Sequence, residues 1–117
     1  MGMLITVALP VLPGQSDRVR NFATEIAPHI AEFERLNREA TVTRYVSYLQ
    51  ELPTGDVELV VMEVDDPTKF RLAVTGDTPY DQWWIGYLRD VHGVDLPSMP
   101  PDQVPQPPPP TFVWPPA

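Results

Sequence analysis

The placement of proline constrains this chain more than any other feature. Sixteen prolines occur in 117 residues, and most of them lie at or after Pro97. Proline has no backbone N–H and a fixed φ, so it cannot continue a helix interior or a central strand. "LPSMPPDQVPQPPPPTFVWPPA" therefore reads as an extended strap with polyproline character. The chain divides into a folded domain over residues 1–96 and a strap over 97–117. Within the strap, "TFVW" at 111–114 is apolar and β-prone, and is expected to form a short last strand.

Upstream, the pattern alternates strand and helix signals. "MLITVAL" is apolar with little alternation, as in a strand covered on both faces. Ser16 is placed to cap the next helix, with Asp17 in its first turn. Val19, Phe22, Ile26, Ile30, Phe33 and Leu36 recur at helical spacing to about Ala40, and Pro28 should kink or divide that helix. "TVTRYVSYLQEL", the turn "PTGD" and "VELVVMEV" read as an antiparallel hairpin. Asp66–Pro67 and Thr78–Pro79 each pair an N-cap with a proline at the first helical position. The first pair opens "PTKFRLAVT", ended by Gly76; the second opens a helix to His92, ended by Gly93.

This β-α-β-β-α-strap-β order is that of the ferredoxin-like α+β sandwich, a four-stranded antiparallel sheet with helices on one face. Val57, Leu59 and Val61 alternate with Val60, Met62 and Val64, so both faces of that strand are largely apolar. Helices on one side leave the second face to another surface, and a homodimer is the expected cover.

Eight basic against sixteen acidic residues give a net charge of −8, which disfavours nucleic acid and anionic membrane surfaces. No cysteine is present, which removes disulfides, thiolate metal sites and a thiol nucleophile. The apolar N-terminus lacks a basic region and is too short to span a bilayer, so a cytoplasmic protein is expected.

"TRYVSYLQELPTGDVELVVMEVDDPTKF" and "TPYDQWWIGYLRDVHGVDL" resemble an uncharacterised bacterial family within the dimeric α/β-barrel superfamily. The matching positions are Gly55, Asp56, Asp66, Pro67, Pro79, Asp81, Trp83, His92, Gly93, Asp95 and Leu96, with Trp114 near the end. Tyr80 and Trp84 depart from the phenylalanines usual there. The resemblance implies two sheets packed face to face in a dimer, and carries no assigned activity.

The candidate pocket residues are Arg44, Tyr48, Trp83 and His92. Arg44 and Tyr48 share a strand face; directed into a barrel, Arg44 would be a buried cation requiring a carboxylate or an anionic ligand, with Tyr45 and Glu63 as neighbours. Near a strand end it would reach water instead. His92 reads as a helix-end cation or as a ligand or catalytic group, and relatives in the superfamily that bind haem through a helical histidine make haem a remote alternative to no cofactor. Asp81 and Asp95 read as cap and turn residues rather than an acid–base pair about His92. Tyr80, Trp84, Tyr87, Leu88 and Val91 form a helical core stripe, with Trp83 to its side. Glu25, His29 and Glu32 read as a solvated face rather than a metal site. Two functions follow: a non-catalytic small-molecule-binding or structural dimer, or an enzyme similar to the superfamily's cofactor-independent monooxygenases, using Arg44, Tyr48 and His92.

Overall fold

The computed structural model describes residues 2–70, 76–103 and 106–115. Three strands form one antiparallel sheet: β1 (Met3–Pro10), β2 (Val42–Gln50) and β3 (Val57–Val64), in the order β1-β3-β2. Alternation sorts their side chains. Ile5 and Val7 of β1 and Val60, Met62 and Val64 of β3 point to the helices and form one core cluster. In register, Tyr45 lies opposite Met62, Ser47 opposite Val60 and Leu49 opposite Glu58, so these β2 residues share that inner face. A bulge between Val42 and Arg44 sets the phase of β2.

The long helical pattern between β1 and β2 is divided, as Pro28 requires. It consists of α1 (Ser16–Arg20), α2 (Phe22–Ile26), a short 3-10 helix at Ala27–His29 containing the proline, and α3 (Ile30–Glu39). Ser16 does not cap α1. It is the first residue of the helix, with Gln15 at the cap position, and its hydroxyl donates to Asp56 at 2.6 Å, tying the helix start to the turn before β3. After α3, Thr41 adopts φ 58°, a region that β-branched residues seldom enter. It is held there by Asp65 and Asp66, whose amides donate to the Thr41 carbonyl at 2.9 Å and hydroxyl at 2.7 Å.

The helix α4 (Pro79–His92) begins and ends where its local chemistry directs. The Thr78 hydroxyl accepts from the Asp81 amide at 3.0 Å, and Gly93 turns the chain at φ 71°. Its buried stripe, Tyr80, Tyr87, Leu88 and Val91, faces inward. Val11, Val19, Tyr87 and Val91 make the second core cluster, extended by Phe22, Trp83 and Trp84. Of the helix expected from Pro67, the structure shows a 3-10 helix at Pro67–Lys69, started by the Asp66 carboxylate on the Thr68 amide; residues 71–75 lie outside the described residues.

The expected four-stranded ferredoxin-like sandwich is not formed among the described residues: the α+β class holds, but their sheet has three strands. Residues 111–115 are exposed and unpaired with the sheet, with Phe112 at 81% and Trp114 at 80% of full exposure. Prolines at 107–110 and 115 flank this segment. They leave a run of four N–H donors, too few ladder bonds to offset the entropy of ordering it. The sheet's outer face carries Leu4, Val46, Tyr48, Leu59 and Val61, of which Leu4 and Tyr48 are exposed.

Because the exposed tail buries nothing, a chain ending at Pro110 is expected to keep its urea midpoint within about 0.5 kcal/mol of stability. A loss of more than about 2 kcal/mol would show that 111–117 is packed in solution.

Candidate functional site

The inner face of β3 reads Glu58, Val60, Met62, Val64, so a carboxylate lies in line with core residues. Glu58 is 3% exposed, and an isolated charge there would be prohibitively costly. Three donors meet it. His92 Nε2 lies 2.8 Å from Glu58 Oε1, the Tyr87 hydroxyl donates to the same oxygen at 3.0 Å, and the Ser47 hydroxyl donates to Oε2 at 2.7 Å.

Each partner is delivered by a different local device. Tyr87 and His92 project from the end of α4, whose Gly93 stop leaves His92 in the final turn. Ser47 comes from β2, on the face shared with Tyr45. The imidazole is held on its other side as well: His92 Nδ1 lies 2.7 Å from the carbonyl of Pro10, the last residue of β1. A carbonyl only accepts, so Nδ1 carries a proton. One further proton lies between Nε2 and Glu58, making the two side chains a proton-sharing couple.

Burial pushes the Glu58 carboxyl up, but the hydrogen bonds from His92, Ser47 and Tyr87 and the imidazole charge outweigh it, and its pKa is lowered. Tyr87 moves the other way: burial first, then the Glu58 charge, raises its phenol, which stays a donor. An aromatic layer shields the couple. The Phe22 ring meets Tyr87 edge-on at 5.5 Å and Trp83 at 5.7 Å, and the Arg18 guanidinium sits 5.5 Å from the Tyr87 ring centre.

Beside the couple, a cavity of about 340 Å³ opens between the sheet and the helices α3 and α4. Its sheet wall includes Val7, Tyr45, Val60 and Met62, and its helix wall includes Phe33, Leu36, Trp84 and Leu88. Glu58, Tyr87 and His92 form its buried polar end, while the exposed Glu39 and Lys69 mark its mouth. The arrangement presents a water-poor proton couple to an apolar chamber.

Of the four candidate residues, only His92 lines this cavity. Arg44 and Tyr48 lie on the outer sheet face, where Arg44 is exposed in register with Glu63 and Tyr48 is 55% exposed. Tyr45, taken as a neighbour of Arg44, points to the opposite face. Trp83 packs toward the first helical segments, stacking on His29 at 5.5 Å and on Tyr87 at 5.5 Å. Asp81 is buried in the first turn of α4 and Asp95 is exposed beyond its end; neither lines the cavity. Glu25 pairs with Arg18 and Glu32 with Arg35, both at 2.6 Å, and among the described residues no group of three His, Cys, Asp or Glu could hold a metal ion. A haem does not fit His92, since both ring nitrogens are engaged.

Glu58 and Ser47 are the site residues that sequence reasoning passed over, and Tyr45 was assigned to the wrong face of β2. The signal for Glu58 was its phase: it alternates onto the face of Val60, Met62 and Val64, where a carboxylate must find a partner. No helix among the described residues is long and apolar enough to cross a membrane. The chain matches no family model, no curated protein and no solved structure in comparisons with known proteins.

The lowered Glu58 pKa gives a pH signature. The stability it supplies is present above the ordinary carboxyl value of 4.5 and is lost as pH falls through the lower native value. Glu58→Gln is expected to cost about 3–5 kcal/mol at pH 7, a gap that shrinks toward pH 3 in urea titrations. A gap independent of pH would refute the ionised couple.

Proposed function

We propose that this protein binds a small, largely apolar organic molecule in the cavity between its sheet and the helices α3 and α4, as a receptor rather than a catalyst. The observation that carries the reading is the cavity itself, about 340 Å³ with apolar walls and one polar end. An apolar concavity of this size with a few convergent polar groups is the usual form of a small-molecule site. Apolar walls make water a poor filler. Scaled from a 150 Å³ cavity that accepts benzene, the space suits about a dozen non-hydrogen atoms. The separation of Arg44 and Tyr48 from His92 supports binding over the monooxygenase reading, which needs all three around one substrate.

The outer sheet face supports a homodimer. Val46, Tyr48, Leu59 and Val61 form an apolar field bordered by a row in which Arg44 and Glu63 stand side by side. A two-fold axis over this field lets Arg44 of each copy meet Glu63 of the other. The pairing agrees with the face-to-face packing implied by the resemblance to dimeric α/β-barrel proteins. The cytoplasm is the compartment we propose, since a cysteine-free chain draws nothing from an oxidising one.

Naphthalene titrated against the tryptophan fluorescence tests the cavity. Wild type is expected to bind it, and Val60→Phe, which places a ring in the chamber, is expected to weaken binding by at least about tenfold while remaining folded. Equal affinities in the two proteins would sink the reading. For the dimer, light scattering should give twice the 13.2 kDa chain mass for wild type and the single mass for Val61→Lys. A monomeric wild type would refute the pairing.

A further inference from the structure

The sheet wall of the cavity contains one hydroxyl that the fold leaves unused. Tyr45 Oη forms none of the hydrogen bonds among the described residues. Yet no buried side-chain nitrogen or oxygen there lacks a partner. The Tyr45 hydroxyl therefore owes its solvation to open space, and Tyr45 lines the cavity.

The neighbouring carboxylate is also incompletely used. An ionised carboxylate offers about four acceptor positions. Glu58 receives His92 and Tyr87 on Oε1 but only Ser47 on Oε2, which leaves one position on Oε2. Burial first, then the charges of Glu58 and Tyr80, raises the Tyr45 pKa, so this phenol stays protonated. Tyr45 and Glu58 both line the cavity from the inner face of the sheet. The cavity thus offers a donor from Tyr45 and an acceptor from Glu58.

We infer that the ligand is a neutral molecule bearing a hydroxyl on a flat apolar body, the hydroxyl oxygen accepting from Tyr45 and its proton going to Glu58. This rests on the binding reading above and specifies what is bound. A hydroxyl matches both partners through a single atom while adding no charge. A carboxylate would set a second negative charge beside Glu58 in a chain already at −8. An ammonium would add an unbalanced buried charge to a couple that His92 already neutralises.

Four probes separate the possibilities by isothermal titration at pH 7: naphthalene, 2-naphthol, 2-methoxynaphthalene and 2-naphthoate. 2-Naphthol is expected to bind at least about tenfold tighter than naphthalene, the effect of a hydrogen bond to a charged group. 2-Methoxynaphthalene, which cannot donate, is expected to lose most of that preference, and 2-naphthoate to bind more weakly than naphthalene. Tyr45→Phe should cut the preference for 2-naphthol over naphthalene to within about threefold. Equal binding of 2-naphthol, its methyl ether and naphthalene by wild type overturns the hydroxyl inference but not the cavity, and needs no variant to fold. Tighter binding of 2-naphthoate overturns it as well. Binding of none of the four overturns the cavity reading and this inference with it.

Discussion

A carboxylate on the inward face of the central strand sets the terms for what packs above it. Glu58 gathers Ser47 from β2 and Tyr87 and His92 from α4, and His92 in turn grips the last carbonyl of β1. One small network therefore joins all three strands to the final helix. Removing any member would leave a buried polar group unpaired, so the network specifies a single seating of α4 on the sheet.

That seating explains the cavity. With the end of α4 pinned at His92 and its side propped by Phe22, Trp83 and Trp84, the helix layer meets the sheet firmly at one end. At the other end Phe33, Leu36 and Leu88 face Val60 and Met62 across open space. The polar group that fixes the helix is also the one that the chamber displays. Structural and functional demands on Glu58 and His92 thus coincide.

Much of the local structure was legible from residues. Pro28 divides its helix, Thr78 and Gly93 bound α4, and "PTGD" turns the hairpin, because each acts through backbone bonds within one turn. Ser16 departed from its capping signal because the helix takes it in as its first residue, leaving its hydroxyl to donate to Asp56, 40 residues away. The site was less legible. His92 stood out as one of two histidines, but its partner Glu58 looked like one more acid in a strand whose two faces both seemed apolar. Arg44 attracted attention as a cation among apolar neighbours, yet the register of β2 turns it outward beside Glu63 and turns Tyr45 inward.

The sequence by itself determined where the chain turns, where its main helix begins and stops, and that the chain is of the α+β class. Those outcomes depend on φ restrictions, caps and periodicity, all of which act over a few residues. Only the tertiary structure decided that Glu58 meets His92 across 34 residues, which face of β2 looks into the cavity, and that "TFVW" stays off the sheet. Those outcomes depend on register and packing, where a shift of one residue reverses every side chain and four ladder donors do not repay an ordered strand.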